Sequence, residues 1–266
     1  MSLFFSKLIN KILGKFEYYL AINWFSPIRT VYFNFRTLPF LQAIKLPIFI
    51  YGSTKFYSLT GNVKIEGNIK TGMIKVNKTN PGAPSNMSGE TELSIYGTLV
   101  FGGSCEIGTG SEVFIGLYGI LRLGNHSRIM DKVNIGCYKS ISIGDNTRVA
   151  HRCQIFDSNY HYIVRLSDRK VKAILKTIEI GSDCWICNST MIGFSIPKGT
   201  IVASNSLVTS KIDSIQDNCL IGGIPAKLIT KGVQRVMNKE TESQISTYFR
   251  EYKEPFWYLP ENYEIY

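Results

Sequence analysis

Residues 180–208 read IGSDCWICNSTMIGFSIPKGTIVASNSLV, and this stretch decides the fold. Within it, an aliphatic side chain recurs every six residues, in two runs that are separated by a phase shift. The runs are Ile180, Ile186 and Ile192, then Ile196, Val202 and Val208. A step of six is generated neither by the 3.6-residue period of a helix nor by the alternation of a half-buried strand.

The same step continues toward the N-terminus. Further runs are Ile107 and Val113, then Leu123, Ile129 and Ile135, then Ile143, Val149 and Ile155. A glycine or alanine usually follows the aliphatic, and a second small side chain recurs four residues after it, at Ser111, Thr147, Cys153, Cys184, Thr190 and Ser206. We interpret each unit as one short strand and one turn, so that three units close a triangular coil and coils stack at the strand spacing of roughly 4.8 Å. The aliphatic and the second small residue then point inward, and glycine serves the turn through positive φ or close backbone approach.

The six cysteines show no paired C-x-x-C spacing, and no secretory signal precedes them. Cys105, Cys153 and Cys184 fall at the inward small position, which predicts buried spacers rather than metal ligands. We therefore expect a reducing compartment, with the cytoplasm as the default, and no metal site.

Three local motifs sharpen the pattern. Residues 180–192 match a signature of the form IG-x-x-x-W-IG, in which Trp185 is present and Cys187 replaces the second glycine. Residues 202–211 read VASNSLVTSK, and residues 223–229 read GIPAKLI. With the repeats, these motifs resemble the hexapeptide-repeat acyltransferase superfamily, and most of all its sugar and polysaccharide O-acetyltransferases.

This resemblance implies an all-β, left-handed parallel β-helix and the transfer of acetyl from acetyl-CoA to a sugar hydroxyl, in surface polysaccharide or lipid-linked glycan synthesis. It also implies a homotrimer, a carbohydrate acceptor, and coenzyme A in the cleft between adjacent β-helices. The pantetheine chain would contact Trp185, Cys187, Asn188, Ala203 and Thr209, largely through backbone groups. Lys211 and Lys227 would meet the phosphates.

Acetyl transfer needs a general base and a donor for the developing oxyanion, and histidine suits the first task. The three candidates are His126, His151 and His161. The segment DSNYH at 157–161 is similar to the D-x-x-H element of the family, which predicts His161 as the base. Asp157 would orient or charge its ring, or bind the sugar instead. We expect His126 and His151 in turns or on outer faces, although His151 could still line the acceptor cleft.

The chain divides into an N-terminal basic, aromatic extension (1–60), the β-helix (61–230) and a C-terminal helix and tail (231–266). Residues 3–13 have helical apolar spacing, which suits a helix packed on its own domain or one lying on an anionic membrane surface. Charged residues interrupt every apolar stretch, so no span is expected and peripheral association at the inner face of the membrane stays open. The net charge of +10 favours anionic ligands, but no nucleic-acid motif accompanies it and none is expected as a partner.

Other functions remain open. Within the same chemistry, the acceptor could be an amino sugar, or the group moved could differ from acetyl. A zinc carbonic anhydrase on the same fold would need three histidines at one metal, and a non-catalytic β-helix scaffold would not bind acetyl-CoA.

Overall fold

The computed structural model describes residues 13–14, 22–80, 89–252 and 254–265. Its elements in chain order are α1 (Pro27–Thr37), α2 (Phe40–Ala43), β1 (Ile48–Ile50), β2 (Thr54–Leu59), β3 (Asn62–Ile65), β4 (Ile74–Lys78), β5 (Thr91–Ile95), β6 (Thr98–Phe101), β7 (Cys105–Gly108), β8 (Glu112–Ile115), β9 (Ile120–Leu123), β10 (Ser127–Ile129), β11 (Asn134–Cys137), β12 (Ser140–Ile143), β13 (Arg148–Val149), β14 (Gln154–Phe156), β15 (Val164–Arg165), β16 (Lys170–Val171), β17 (Thr177–Ile180), β18 (Trp185–Ile186), β19 (Met191–Ile192), β20 (Ile201–Val202), β21 (Leu207–Val208), β22 (Cys219–Gly222), β23 (Lys227–Lys231) and α3 (Lys239–Glu251).

Successive strands of the coil belong to sheet one, sheet two and sheet three in turn. Each sheet therefore pairs strands from neighbouring coils. Sheet one has the order β1-β4-β7-β10-β13-β18-β20-β22-β23, sheet two has β2-β5-β8-β11-β14-β19-β21, and sheet three has β17-β12-β9-β6-β3. All pairs in these sheets are parallel except β22 with β23. The parallel β-helix predicted from the six-residue step is confirmed; the hand of its coil stays a prediction.

The coils are not uniform in length. Arg128 pairs with Arg148, 20 residues on, whereas Met191 pairs with Leu207, 16 residues on. Three units of six would give a constant step, so the phase shifts in the sequence correspond to corners that gain or lose residues.

The interior of the coil is filled as the repeat predicts. Ile107, Ile129 and Val149 stack in register in sheet one, and each is almost fully buried. The six small residues of the second inward position are buried too, as are Cys105, Cys153 and Cys184. The buried-spacer interpretation of these cysteines is therefore confirmed.

The glycines after the aliphatic positions allow the backbones of neighbouring coils to approach closely. A Cβ on Gly144 would lie 2.4 Å from the backbone nitrogen of Ser182, and one on Gly181 would lie 2.4 Å from that of Lys198. Positive φ falls instead two residues later, at Asn146 (φ 55°) and Asp183 (φ 60°). Of the two roles foreseen for these glycines, tight stacking of neighbouring corners is the one that applies here.

Helix α1 covers the open edge of sheet one. Its buried Asn34 accepts the N–H of Ile48 at 3.1 Å and donates to the carbonyl of Ile48 at 2.7 Å, while Thr30 Oγ1 accepts the N–H of Ile50 at 3.0 Å. These bonds satisfy the edge strand that would otherwise expose unpaired groups. Parallel pairing thus begins at Ile48, inside the predicted extension 1–60. The helix predicted at residues 3–13 lies outside the described residues except for position 13.

After β23 turns back on β22, the chain runs along the outer face of sheet one into α3. The side chain of Asn238 caps this helix by accepting the N–H groups of Glu240 and Thr241, each at 3.0 Å. Trp257 of the tail stacks on Tyr248 with a centroid distance of 4.6 Å. The C-terminal helix predicted within 231–266 is confirmed. In the part of the chain that the structure covers, no helix combines the length and hydrophobicity that a transmembrane span requires.

Candidate functional site

A long insertion leaves the β-helix after β14 and returns at β17, between Ile155 and Ile180, where the six-residue step of the sequence is interrupted. Gln154 pairs with Met191, 37 residues on, where the preceding step in sheet two is 20. Strands β15 and β16 form a hairpin in this loop, and Arg165 closes it with two bonds to Asp168, at 2.8 and 2.6 Å. The hydrogen bond from Arg165 lowers the pKa of the exposed Asp168 carboxyl below its usual value.

His161 lies at the beginning of this loop with its side chain exposed. It lines a cavity of about 340 Å³ together with the apolar Ile163 and the basic Arg165, Lys170 and Lys172. The backbone N–H of His161 donates to the carbonyl of Asn159 at 2.7 Å, but no described residue hydrogen-bonds to its ring. The exposed ring therefore lines the cavity without a hydrogen bond to any described residue.

The carboxylate of Asp157 is directed at the preceding coil. It is 0% exposed and accepts the backbone N–H groups of Tyr138 at 2.8 Å, Lys139 at 2.7 Å and Ser140 at 2.8 Å. No described hydrogen bond joins it to His161. In this structure Asp157 fixes the root of the loop, and a direct partnership with the histidine ring stays a prediction.

A row of aromatic rings leads along sheet two to the residue before His161. Tyr160 packs on Tyr138 and Phe156 with centroid distances of 5.3 and 5.9 Å, and the row continues through Phe114 to Tyr96. Burial, followed by a hydrogen bond with Tyr138, raises the pKa of Tyr160 to about 12. The sequence interpretation missed this row, although the ring directly follows an inward residue in several coils of sheet two, which is a detectable signal.

Gly136 makes room for these rings. A Cβ at this position would lie 2.5 Å from Cδ1 of Phe156 and 3.2 Å from the hydroxyl of Tyr160. The missing side chain thus lets both rings close on the strand beside the loop.

The predicted cofactor residues fall at two different corners. Cys187, Asn188 and Ala203 lie at the corner that follows sheet one, where Asn188 Oδ1 accepts the hydroxyl of Ser204 at 2.7 Å. His151 occupies the same corner one coil earlier, since its carbonyl accepts the N–H of Ser189 at 3.1 Å.

Thr209 and Lys211 lie at the corner that follows sheet two, from which the His161 loop also departs. Gly193 lies between the two segments at this corner. A Cβ added to it would be 3.8 Å from the carbonyl oxygen of Phe156 and 3.8 Å from Cγ2 of Thr209. Sheet two therefore separates these residues from the Cys187 corner, so that one chain presents two surfaces rather than one closed site.

The backbone amides at the first corner are already used. Cys187 donates its N–H to Val202 at 2.9 Å, and Ala203 donates to Ile221 at 2.8 Å. A pantetheine chain at this corner would therefore meet their other atoms.

Trp185 and Lys227 lie on sheet one. The Trp185 side chain is on the outer face, 38% of the residue is exposed, and the guanidinium of Arg235 sits 5.9 Å from its ring centroid. Lys227 is exposed on β23. His126 is exposed in a turn with φ 57°, as predicted, so the three histidines lie at three separate places in the chain.

The fold and the site define a parallel β-helix of six-residue repeats with an exposed histidine at the root of a long loop. No protein-family model matches the chain. It is 28% identical over 145 residues to WbbJ of Escherichia coli (strain K12), provisionally named as a lipopolysaccharide biosynthesis O-acetyl transferase, covering 51% of this chain and 72% of that protein. It is 29% identical over 205 residues to an uncharacterized 24.8 kDa protein in the cps region of Klebsiella pneumoniae, covering 75% and 86%.

Among solved structures, the chain is similar to the polysialic acid O-acetyltransferase OatWY, with a TM-score of 0.48 and 21% identity over 75% of this chain and 99% of that one. It is also similar to a maltose O-acetyltransferase from Clostridium difficile 630, with a TM-score of 0.32 and 16% identity over 78% and 84%. The resemblance to O-acetyltransferases that the motifs indicated is confirmed by the similarity to the Escherichia coli protein.

Proposed function

We propose that this protein is an acetyltransferase that moves acetyl from acetyl-CoA to a hydroxyl of a carbohydrate acceptor, in the synthesis of a surface polysaccharide or lipid-linked glycan. The observation that carries the proposal is the unengaged ring of His161, exposed in the loop cavity beside the corner of Thr209 and Lys211. The name of the Escherichia coli relative supports the reaction type and the class of acceptor.

In the proposed reaction, a ring nitrogen of His161 accepts the proton of the acceptor hydroxyl as its oxygen attacks the thioester carbonyl carbon. The carbon–sulfur bond then breaks, and the proton passes to the departing sulfur, so that free coenzyme A and an acetyl ester result. General base catalysis of this kind contributes typically 10²–10⁴-fold to rate. Lys170 and Lys172 of the same cavity would hold an acceptor that carries negative charge, since Arg165 is already paired with Asp168.

The residues predicted for acetyl-CoA fit an anionic thioester. Lys211 and Lys227 are exposed cations suited to its phosphates. Burial raises the pKa of the Cys187 thiol, so this side chain stays protonated at neutral pH and does not compete as a nucleophile.

The two separate corners support a homotrimer. The Cys187 corner of one copy would face the His161 loop of the next copy. Two chains would then together form the complete site, of which each chain alone presents two separate halves. This arrangement makes assembly a condition of activity.

We also propose peripheral association with an anionic membrane, at its inner face. On α1, Ile28, Tyr32 and Phe35 are exposed at spacings of four and three residues, with Ile28 at 84% exposure. Arg29 and Arg36 flank them. Apolar side chains beside cations are the composition that binds at an anionic lipid interface.

The test incubates the full chain with acetyl-CoA and a panel of neutral, acidic and amino sugars, and follows the release of free thiol. We expect acceptor-dependent release that His161→Ala lowers by at least about 10²-fold, while Leu166→Ala, an exposed change in the same loop (86% exposed), retains it. Lability of the product to mild base distinguishes an ester from the amide that an amino-sugar acceptor would give. Wild-type turnover in His161→Ala would contradict the assignment of His161 as the base. No thiol release and no calorimetric binding of acetyl-CoA by the wild type would contradict the proposal and favour the scaffold alternative.

A further inference from the structure

A second cavity, of about 510 Å³, lies on the outer face of sheet one where the C-terminal tail crosses it. Its charged lining consists of Lys75, Glu106, Arg128, Arg148 and Lys239. It opens on coils that precede the His161 loop, whereas Thr209, Lys211 and Lys227 lie on coils that follow it. The cavity lining shares no residue with either half of the proposed acetyltransferase site, although Arg148 is the sheet neighbour of Trp185.

The carboxylate of Glu106 forms ion pairs with two of these cations. Glu106 contacts Nζ of Lys75 at 3.5 Å and Nε of Arg128 at 3.4 Å. The lining thus carries four cationic side chains against a single carboxylate, and a large positive excess remains inside the cavity.

Arg148 is half-buried in this lining and has no ion-pair partner among the residues that the structure describes. It occupies the outward position between Arg128 and Trp185 in the sheet register, and it is half-buried. Within the described ranges, no carboxylate lies within 4 Å of its guanidinium and no side-chain hydrogen bond satisfies it.

Further charges around Arg148 do not balance it. Arg235 approaches from the tail, and Glu242 of α3 and Glu106 act only at longer range. Burial first, and then Arg235 and Arg128, lower the pKa of Arg148 to about 10. A half-buried guanidinium among like charges is unfavourable unless an anion completes the group.

We propose that this cavity binds a phosphate-type dianion, such as a phosphomonoester or diphosphate group, between Arg148 and Arg128, with Lys239 closing it from the tail. The planar guanidinium can hold two oxygens of such a group at once, and the positive excess suits a dianion better than a single carboxylate. Because none of the lining residues is assigned to acetyl transfer, binding at this cavity can be tested without any acceptor or acetyl-CoA.

The test titrates the full chain with inorganic pyrophosphate, and in a parallel arm with inorganic phosphate, by calorimetry. We expect Arg148→Gln to weaken pyrophosphate binding by at least about tenfold, since a hydrogen-bonded charge is lost. The matched control is Arg122→Gln on sheet three, where the arginine is paired with Glu66 at 2.5 Å, and it should bind as the wild type does.

Thermal melting separates a ligand site from a structural role. Without ligand, Arg148→Gln should melt at or above the wild-type temperature, because repulsion among the arginines is relieved. With pyrophosphate, the wild type should gain thermal stability and the variant should not. Absence of binding at millimolar pyrophosphate, equal binding by both proteins, or a lower melting temperature of the ligand-free variant would each overturn the proposal. The last outcome would assign Arg148 a structural partner, for example in a second copy of the chain.

Discussion

Asp157, the last residue before the loop that carries His161, accepts the backbone N–H of Ser140 at 2.8 Å. The same buried carboxylate holds the N–H groups of Tyr138 and Lys139, so one side chain fastens the corner of the preceding coil to the root of the loop. The start of the loop is thus attached to the β-helix, while the hairpin beyond it is exposed.

Replacing this carboxylate by an amide should destabilise the protein. In Asp157→Asn, the side-chain NH2 would face backbone N–H donors, and a buried donor without a partner costs roughly 1–3 kcal/mol. We expect a lower melting temperature together with reduced kcat, while the midpoint of the pH–rate profile stays in place. Asp168→Asn, an exposed change in the same loop, is the control for stability. An unchanged melting temperature with a shifted pH profile would instead mean that Asp157 acts on the ring of His161.

Gly136→Ala should disturb the aromatic row. The new Cβ would meet Phe156 at 2.5 Å, and overpacking of this kind costs typically about 1–3 kcal/mol. Because Tyr160 shares the space and directly precedes His161, kcat should fall along with the melting temperature. The double variant Gly136→Ala/Phe156→Ala removes the clash, so the two changes should be less than additive in stability. Strict additivity would show that the ring is not what opposes the Cβ.

Thiol reactivity should follow burial. Burial raises the pKa of Cys105, Cys137 and Cys184 to about 12, and that of Cys153 to about 11. A raised pKa lowers the thiolate fraction at a given pH, so iodoacetamide at pH 8 should modify these four slowly. Cys187 is the most exposed of the six and should react first, with a rate that rises with pH.

Mass spectrometry of the alkylated peptides measures these rates, and in urea all six cysteines should react alike. Fast labelling of Cys105 in the native protein would contradict the burial of its coil.

The α1 surface should bind lipid. We expect the full chain to sediment with vesicles that contain anionic lipid and not with neutral vesicles. The double variant Ile28→Ser/Phe35→Ser should weaken that binding at least about tenfold, because two large apolar side chains no longer enter the lipid interface. Tyr118→Ser, a change at an aromatic that is 85% exposed in the turn between β8 and β9, serves as the matched control. Equal sedimentation of the two variants would exclude α1 as the contact surface.

The six-residue step by itself determined the architecture. Ile107, Ile129 and Val149 stack because a side chain that recurs once per turn of a triangular coil must point into the same narrow interior, whatever the rest of the chain does. The loop at 158–176 is indicated by the sequence for the same reason, because the six-residue step is interrupted there. The strands β1 and β2 fell within the predicted extension 1–60, and the edge of β1 is satisfied by Asn34 of a helix rather than by another repeat.

The partners of outward-facing side chains were decided only by the tertiary structure. The resemblance of residues 157–161 to the D-x-x-H element predicts Asp157 as a partner of His161, but it does not indicate that the Asp157 carboxylate also binds a corner 17–19 residues earlier in the chain. Likewise, Arg148 shares its surroundings with Arg235 of the tail, which no spacing along the sequence could indicate. A repeat fixes which residues enter the core, because burial depends on periodicity alone. Outside the core, contacts depend on how corners of different coils and the returning tail meet in space.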